Sequence, residues 1–179
     1  MRKVLYILGH LSDEDVDWMA RRGRHLDLES DSILVREGVP LDDLFIVTAG
    51  RAAVEVNGLG RIASLGAGEI VGEMSFVDSA LPSATVRADG RCTLLAIDRR
   101  EVKARLAEDP GFAGRFYKAM AMFLADRLRG TVDRMKAGPG QALAGQQIME
   151  DELDEDVLDQ VSLAGARFER LLHALARSA

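Results

Sequence analysis

Between residues 24 and 98 no apolar run is long enough for a helix of three turns, and turn residues cut the chain at close intervals. The cuts fall at Gly38-Val39-Pro40, Ala49-Gly50, Asn57-Gly58, Gly66-Ala67-Gly68 and Asp89-Gly90. The segments between them read as strands over 24–28, 32–35, 44–48, 52–56, 62–65, 83–88 and 93–98. In two of them the period of two is explicit. Ala52, Val54 and Val56 alternate with Ala53, Glu55 and Asn57, and Ala84, Val86 and Ala88 alternate with Thr85, Arg87 and Asp89. Each such strand has one dry face and one wet face. Many short strands with regular turns require a closed or double-sheet structure, because an open sheet of this kind leaves its edges unpaired.

The periodicity changes on both sides of this region. Ser12 followed by Asp13, Glu14 and Asp15 is a helix start, with a capping hydroxyl and acids in the first turn; Val16, Met19 and Ala20 form its apolar stripe, and Gly23 ends it. After Asp98 the spacing is again helical. A short helix is expected over 99–108, ended by Asp109-Pro110-Gly111, and a long one over 112–135. On the long helix Phe116, Met120, Phe123, Leu124, Leu128, Val132 and Met135 recur at steps of three and four. That stripe is wider than one face against a small β-roll requires, and a homodimer seam through 112–135 is the expected use of the remainder. Ala137-Gly138-Pro139-Gly140 breaks the pattern. Ile148, Leu153, Val157, Val161, Phe168, Leu171, Leu172 and Leu175 then mark an amphipathic helix or helix pair, with a possible break at Gly165. The organisation is a domain over 1–136, a linker over 137–145 and a C-terminal helical extension over 146–179. The fold class is α+β: an antiparallel β-roll or jelly roll with an N-terminal helix, a short helix, a long C-helix and that extension.

Charge follows the same boundaries. The net charge of −6 is distributed as −6 over 24–98, +5 over 99–136 and −5 over 137–179. The opposite signs of the last two segments predict that the extension docks on the basic long helix, of its own or a partner subunit, with its apolar residues supplying most of the energy. No apolar run approaches the roughly 18–20 residues of a membrane span. Cys92 is the only cysteine, which excludes an intramolecular disulfide, and a reduced, cytoplasmic setting is the default.

The run Gly66-Ala-Gly-Glu-Ile-Val-Gly-Glu-Met-Ser-Phe76, followed by Pro82-Ser-Ala-Thr-Val-Arg-Ala88, resembles a cyclic-nucleotide-binding domain of the catabolite activator and protein kinase A regulatory subunit kind. Glycines 38, 50, 66, 68 and 72 match the family's turn positions, and the order helix, β-roll, short helix, long helix matches over about residues 10–135. The resemblance implies an eight-strand roll and a ligand, cyclic AMP or cyclic GMP, held by Gly72, Glu73, Met74, Ser75, Pro82, Ser83, Ala84 and Thr85. A Gly-rich turn entering one helical turn aims backbone N–H groups at a phosphodiester, and Glu73 matches the family's ribose glutamate. Nine residues on, where the family places an arginine whose fork pairs with phosphate oxygens, this chain has Pro82, with neither charge nor donor. Loss of such a pair costs about 2–5 kcal/mol.

No catalytic constellation accompanies this segment, so the chain reads as non-enzymatic. Ser75 is not in a nucleophile elbow, and His10, His25 and His173 lack metal-ligand spacing. Catabolite-activator-like regulators continue into a winged helix-turn-helix; only 43 residues follow Lys136, and they are acidic, so no DNA binding is expected. Two readings remain. One is a regulatory sensor that binds a small ligand and signals to a protein partner; the other is a ligand-free structural adaptor with a degenerate pocket.

Overall fold

In a computed structural model that describes residues 8–137 and 155–176, the turn-divided region forms two four-stranded antiparallel sheets. The strands are β1 (Arg24–Leu28), β2 (Ile33–Val35), β3 (Asp43–Ala49), β4 (Arg51–Val56), β5 (Gly60–Gly66), β6 (Ile70–Val71), β7 (Thr85–Ala88) and β8 (Cys92–Asp98). One sheet has the order β1-β8-β3-β6 and the other β2-β7-β4-β5. Seven strands match the sequence reading. The eighth, β6, is two residues long, too short to show any alternation. Ser83 and Ala84 lie in a bend before β7, not within it.

The two sheets enclose one core, built from Phe45, Val47, Val71, Leu94 and Ala96 against Val35, Ala52, Leu65, Val86 and Ala88. Leu44, Ile46, Ile70, Leu95 and Ile97, on the opposite face of the first sheet, belong to a second core with the helices. With both faces covered, the central strands β3 and β8 carry nearly continuous apolar runs. Cys92 is a buried member of the inter-sheet core, and burial pushes its thiol pKa up. Ala53, expected on the wet face of β4, is buried as well.

Five helices complete the described chain, after a helical turn at residues 8–10: α1 (Asp13–Arg22), α2 (Glu73–Asp78), α3 (Arg99–Glu108), α4 (Pro110–Ala137) and α5 (Glu155–Ala176). Ser12 and Asp15 close a reciprocal capping box on α1, with Asp15 N–H donating to Ser12 Oγ at 3.2 Å and Ser12 N–H to Asp15 Oδ2 at 2.8 Å. The Asp109-Pro110-Gly111 break separates two helices without a gap. Asp109 Oδ1 accepts the Phe112 N–H at 2.9 Å, and Pro110 is the first residue of α4, where its missing donor costs nothing. Phe112, Phe116, Ala119, Met120 and Phe123 bury one side of α4 in the helix-side core. Met120, at 1% exposure, is thus a core residue and not part of an outward seam. Among the described side chains of α4 the exposed large apolar ones are Tyr117, Leu128 and Val132, with Leu128 65% exposed.

The position of α5 corrects the charge argument. It runs unbroken through Gly165 and lies along α1, not along the basic long helix. Arg167 Nε donates to Asp13 Oδ1 at 2.7 Å, and Arg167 Nη1 donates to the carbonyls of Leu8 and Gly9 at 3.1 and 3.0 Å. Arg170 forms a fork on Asp17 at 2.7 and 2.6 Å. Ala164, Leu171 and Leu175 are buried, with Phe168 packed against the same core. The few cations of the extension meet the acidic first turns of α1, a pairing that net charge per segment conceals. Ile148, Leu153 and the 138–145 part of the expected linker lie outside the described residues.

Candidate functional site

Glu73 begins α2, and the backbone there needs a glycine before it. Gly72 caps the helix at φ +91°, a left-handed conformation, and a Cβ at that position would come within 2.5 Å of Leu41 Cδ2. Only glycine lets the chain leave β6 and enter α2 in this space. Phe76 then anchors α2 from below, edge-on to Phe116 of α4 at 5.6 Å between ring centres. Arg99, at the start of α3, fastens the other end of the segment. Its Nη2 donates to the carbonyl of Ser75 and its Nη1 to the carbonyl of Leu41 at 2.8 Å, while its guanidinium lies 5.5 Å from the Phe76 ring centre.

The Glu73 side chain is 2% exposed and faces the long helix. Arg127 Nη1 forms an ion pair with Glu73 Oε1, and Arg127 Nη2 donates to the carbonyl of Ile70 at 3.2 Å. The Arg127 guanidinium also lies over Phe123 at 4.6 Å. Burial pushes the Glu73 carboxyl pKa up; Arg127 and the Glu73 backbone N–H pull it down, the neighbouring Glu69 raises it further, and the net direction is upward. One guanidinium that is itself 25% exposed does not fully compensate the desolvation.

The remaining expected site residues fall into two groups. Ser75 is buried beside Glu73, whereas Met74 points outward on α2. Pro82, Ser83, Ala84 and Thr85 form the approach to β7 and are tied to the turn after β2. The Pro82 carbonyl accepts the Gly38 N–H at 2.8 Å, and Thr85 Oγ1 accepts the Glu37 N–H at 3.2 Å. Among the described residues no hydrogen bond or ion pair joins this group to Glu73. Arg87 does not turn toward it either. Its guanidinium donates to the Asp31 carbonyl at 2.8 Å and pairs with Glu55 at 3.5 Å. The residues present suit the hydroxyl-binding half of a cyclic nucleotide, through a buried carboxylate, but among the described residues none supplies a buried, unpaired cation for its phosphate.

Arg127, which the sequence shows only as one polar position on an apolar helix, is the partner of Glu73 that sequence reasoning misses. It stands 54 residues from Glu73, and no local spacing connects them. The weak signal available was a cation set one turn after Phe123 on a helix expected to pack on the roll.

Residues 25–109 match the family model described as cyclic nucleotide-binding domain. The chain is similar in structure to a cyclic nucleotide-binding domain from Methylobacillus flagellatus KT, with a TM-score of 0.67 and 25% identity over 78% of this chain and 84% of that one. It is also similar to the N-terminal domain of a transcriptional regulator from Streptomyces coelicolor A3(2), with a TM-score of 0.58 and 28% identity over 78% and 99% of the two chains. A protein of Rhodopseudomonas palustris described as a potassium channel is 27% identical over 109 residues, which are 60% of this chain and 26% of that protein. The chain thus spans about a quarter of the curated relative it matches. Among the described residues no helix is long and apolar enough to cross a membrane. Over residues 25–109 the β-roll of this chain, which carries the glycine-led Glu73 segment, is similar in sequence and in fold to cyclic nucleotide-binding domains.

Proposed function

We propose that the chain is a non-enzymatic regulatory module in which α2 receives a small ribose-bearing ligand of the cyclic-nucleotide kind, and α4 transmits its presence. The observation that carries this reading is the Glu73–Arg127 pair. The carboxylate that matches the ribose ligand of the family is held by the long helix itself. A ligand hydroxyl that binds Glu73 must share it with Arg127 or displace it, and either event changes the seat of α4 on the roll. A ligand shifts such an equilibrium only through its differential affinity for the two arrangements, and competition for one carboxylate supplies that difference.

Transmission ends at a homodimer seam and a protein partner. Tyr117, Leu128 and Val132 are the exposed large apolar residues among the described side chains of α4, and the last two follow Arg127 directly along the helix. A second copy packed on this stripe would cover it, and the position of α4 would set the geometry of the pair. Changing Leu128 and Val132 together to Glu leaves the core untouched and should give a monomer by light scattering; a wild-type monomer at tens of micromolar removes the seam from the account.

The ligand reading is tested by thermal unfolding with cyclic mononucleotides and their parent nucleosides. A ligand at 100 times its Kd adds about 2.7 kcal/mol of stability. The shift should vanish in Glu73→Ala. A wild-type protein that no member of the panel stabilises is instead a ligand-free adaptor.

A further inference from the structure

Among the described residues no cation is free of other partners and buried beside this site. From Ile62 to Val86 the chain contains no Lys, Arg or His, while Glu69, Glu73 and Asp78 fall within that stretch. The basic residues at its borders are engaged elsewhere. Arg61 pairs with Asp89 at 2.7 Å, and Arg87 with Glu55 and the Asp31 carbonyl. Arg99 and Arg127 reach α2 from the helices, yet both are held. Arg99 is spent on the carbonyls of Leu41 and Ser75, and Arg127 on Glu73 and the carbonyl of Ile70. Lys103 lies over Phe76 on the helix side of the sheet. Arg36, on the turn packed against Pro82, is exposed, so its charge is screened by water.

Recruiting Arg127 to a phosphate would not solve the problem. It would leave Glu73 buried with its charge uncompensated, and the neighbouring Glu69 would add to the cost. An anion entering this site therefore meets a buried acid without an available guanidinium. An uncharged ligand bearing hydroxyls meets the same carboxylate as a hydrogen-bond acceptor and needs no counter-charge.

We infer that this site selects an uncharged nucleoside over a cyclic nucleotide: Pro82 and the Glu73–Arg127 pair disfavour the phosphodiester, and Glu73 retains the sugar hydroxyl. The inference rests on the ribose-site reading above and narrows its ligand class. Two groups set the preference. Pro82 removes the fork that would favour the anion, and the Glu73–Arg127 pair is closed to a second negative charge.

Calorimetry with adenosine against cyclic AMP, and guanosine against cyclic GMP, tests it on the wild-type chain without any substitution. At least one nucleoside should bind tenfold or more tightly than its cyclic phosphate, with an affinity that changes little between low and high salt. In Pro82→Arg the ratio of cyclic-nucleotide to nucleoside affinity should rise tenfold or more. Arg36→Ala should leave the nucleoside unaffected. A wild-type protein that binds the cyclic nucleotide as tightly as the nucleoside, with binding lost in Glu73→Ala, overturns the inference and leaves the site reading intact. Absence of binding by all four compounds at millimolar concentration overturns both.

Discussion

Among the described residues two carboxylates are buried against arginines, Asp15 and Glu73, and their surroundings differ. Asp15, at 0% exposure, accepts from Arg105 at 2.9 Å, from Arg115 at 2.7 and 3.1 Å, and from the Ser12 N–H at 2.8 Å. Arg105 in turn lies over Trp18 and Phe112 at 4.7 and 4.5 Å. Burial pushes the Asp15 carboxyl up, but the hydrogen bonds from Arg115 and Ser12 outweigh it and hold the group below its ordinary range. Glu73 has one guanidinium against a heavier desolvation, and its carboxyl moves the other way. Asp15 is an over-satisfied charge that ties α1 to α3 and α4. Glu73 is an under-satisfied one, and it is the group on which the proposed ligand site rests.

The largest expected contrast is in stability. Asp15→Ala strands two guanidiniums and removes half of a capping box, and should cost about 3–5 kcal/mol. Glu73→Gln replaces a poorly compensated charge with an amide of the same shape, and should cost less than about 1 kcal/mol or be neutral. Urea unfolding of the two variants measures both; equal losses would erase the distinction between a structural and a binding carboxylate.

A smaller effect tests whether the end of the molecule around Asp15 is a structural unit. Arg167 caps the Leu8 and Gly9 carbonyls and pairs with Asp13 while only 13% of its side chain is exposed. Arg167→Ala should cost about 1–3 kcal/mol and accelerate hydrogen exchange in α1 and α5 together, with α2 unchanged. Arg170→Ala, which removes a more exposed pair, should cost less. Faster exchange in α5 alone would mean that α1 does not depend on it.

The contrast between the two carboxylates was not legible in the sequence, although most of the fold was. Turn residues and alternation are local signals, and seven strands with the helices 13–22 and 99–108 emerged from them with small errors at their ends. The strand β6 and the close approach of Gly72 to Leu41 depend on neighbours distant in the chain. Ser12 and Asp15 were readable as a cap, but Arg105 and Arg115 reach Asp15 across 90 and 100 residues, just as Arg127 reaches Glu73 across 54. The docking of α5 was misjudged for the same reason. Segment charge says which signs are present, whereas pairing depends on which residues face each other, and Arg167 and Arg170 lie on the face that also carries Leu171. Pro82 was the exception. Its place where the resembled family has a charged residue is a local fact, and among the described residues no hydrogen bond or ion pair brings a cation to it in the structure.

The smallest expected effect is in the pH dependence of stability, and the two groups contribute with opposite signs. The Asp15 carboxyl is depressed on folding, so its contribution is complete above the unfolded value of about 4 and is lost as pH falls through the folded value. The Glu73 carboxyl is raised on folding, so its contribution is complete below about pH 4.3 and is lost as pH rises through the folded value. Relative to wild type, Glu73→Gln should therefore gain stability as pH climbs out of that range. A Glu73→Gln curve parallel to wild type from pH 4 to 8 would show that Glu73 is as well compensated as Asp15.

The most direct test reads the two carboxyls themselves. A pH titration of the full chain by carbonyl-detected nuclear magnetic resonance, with the signals assigned through Asp15→Asn and Glu73→Gln, follows both groups in one sample. Asp15 should titrate below the ordinary aspartate range and Glu73 above the ordinary glutamate range, and the Glu73 signal should move when a saturating nucleoside is added while that of Asp15 stays fixed. A Glu73 carboxyl that titrates at or below the ordinary range and does not respond to ligand would contradict the assignment of α2 as the binding site.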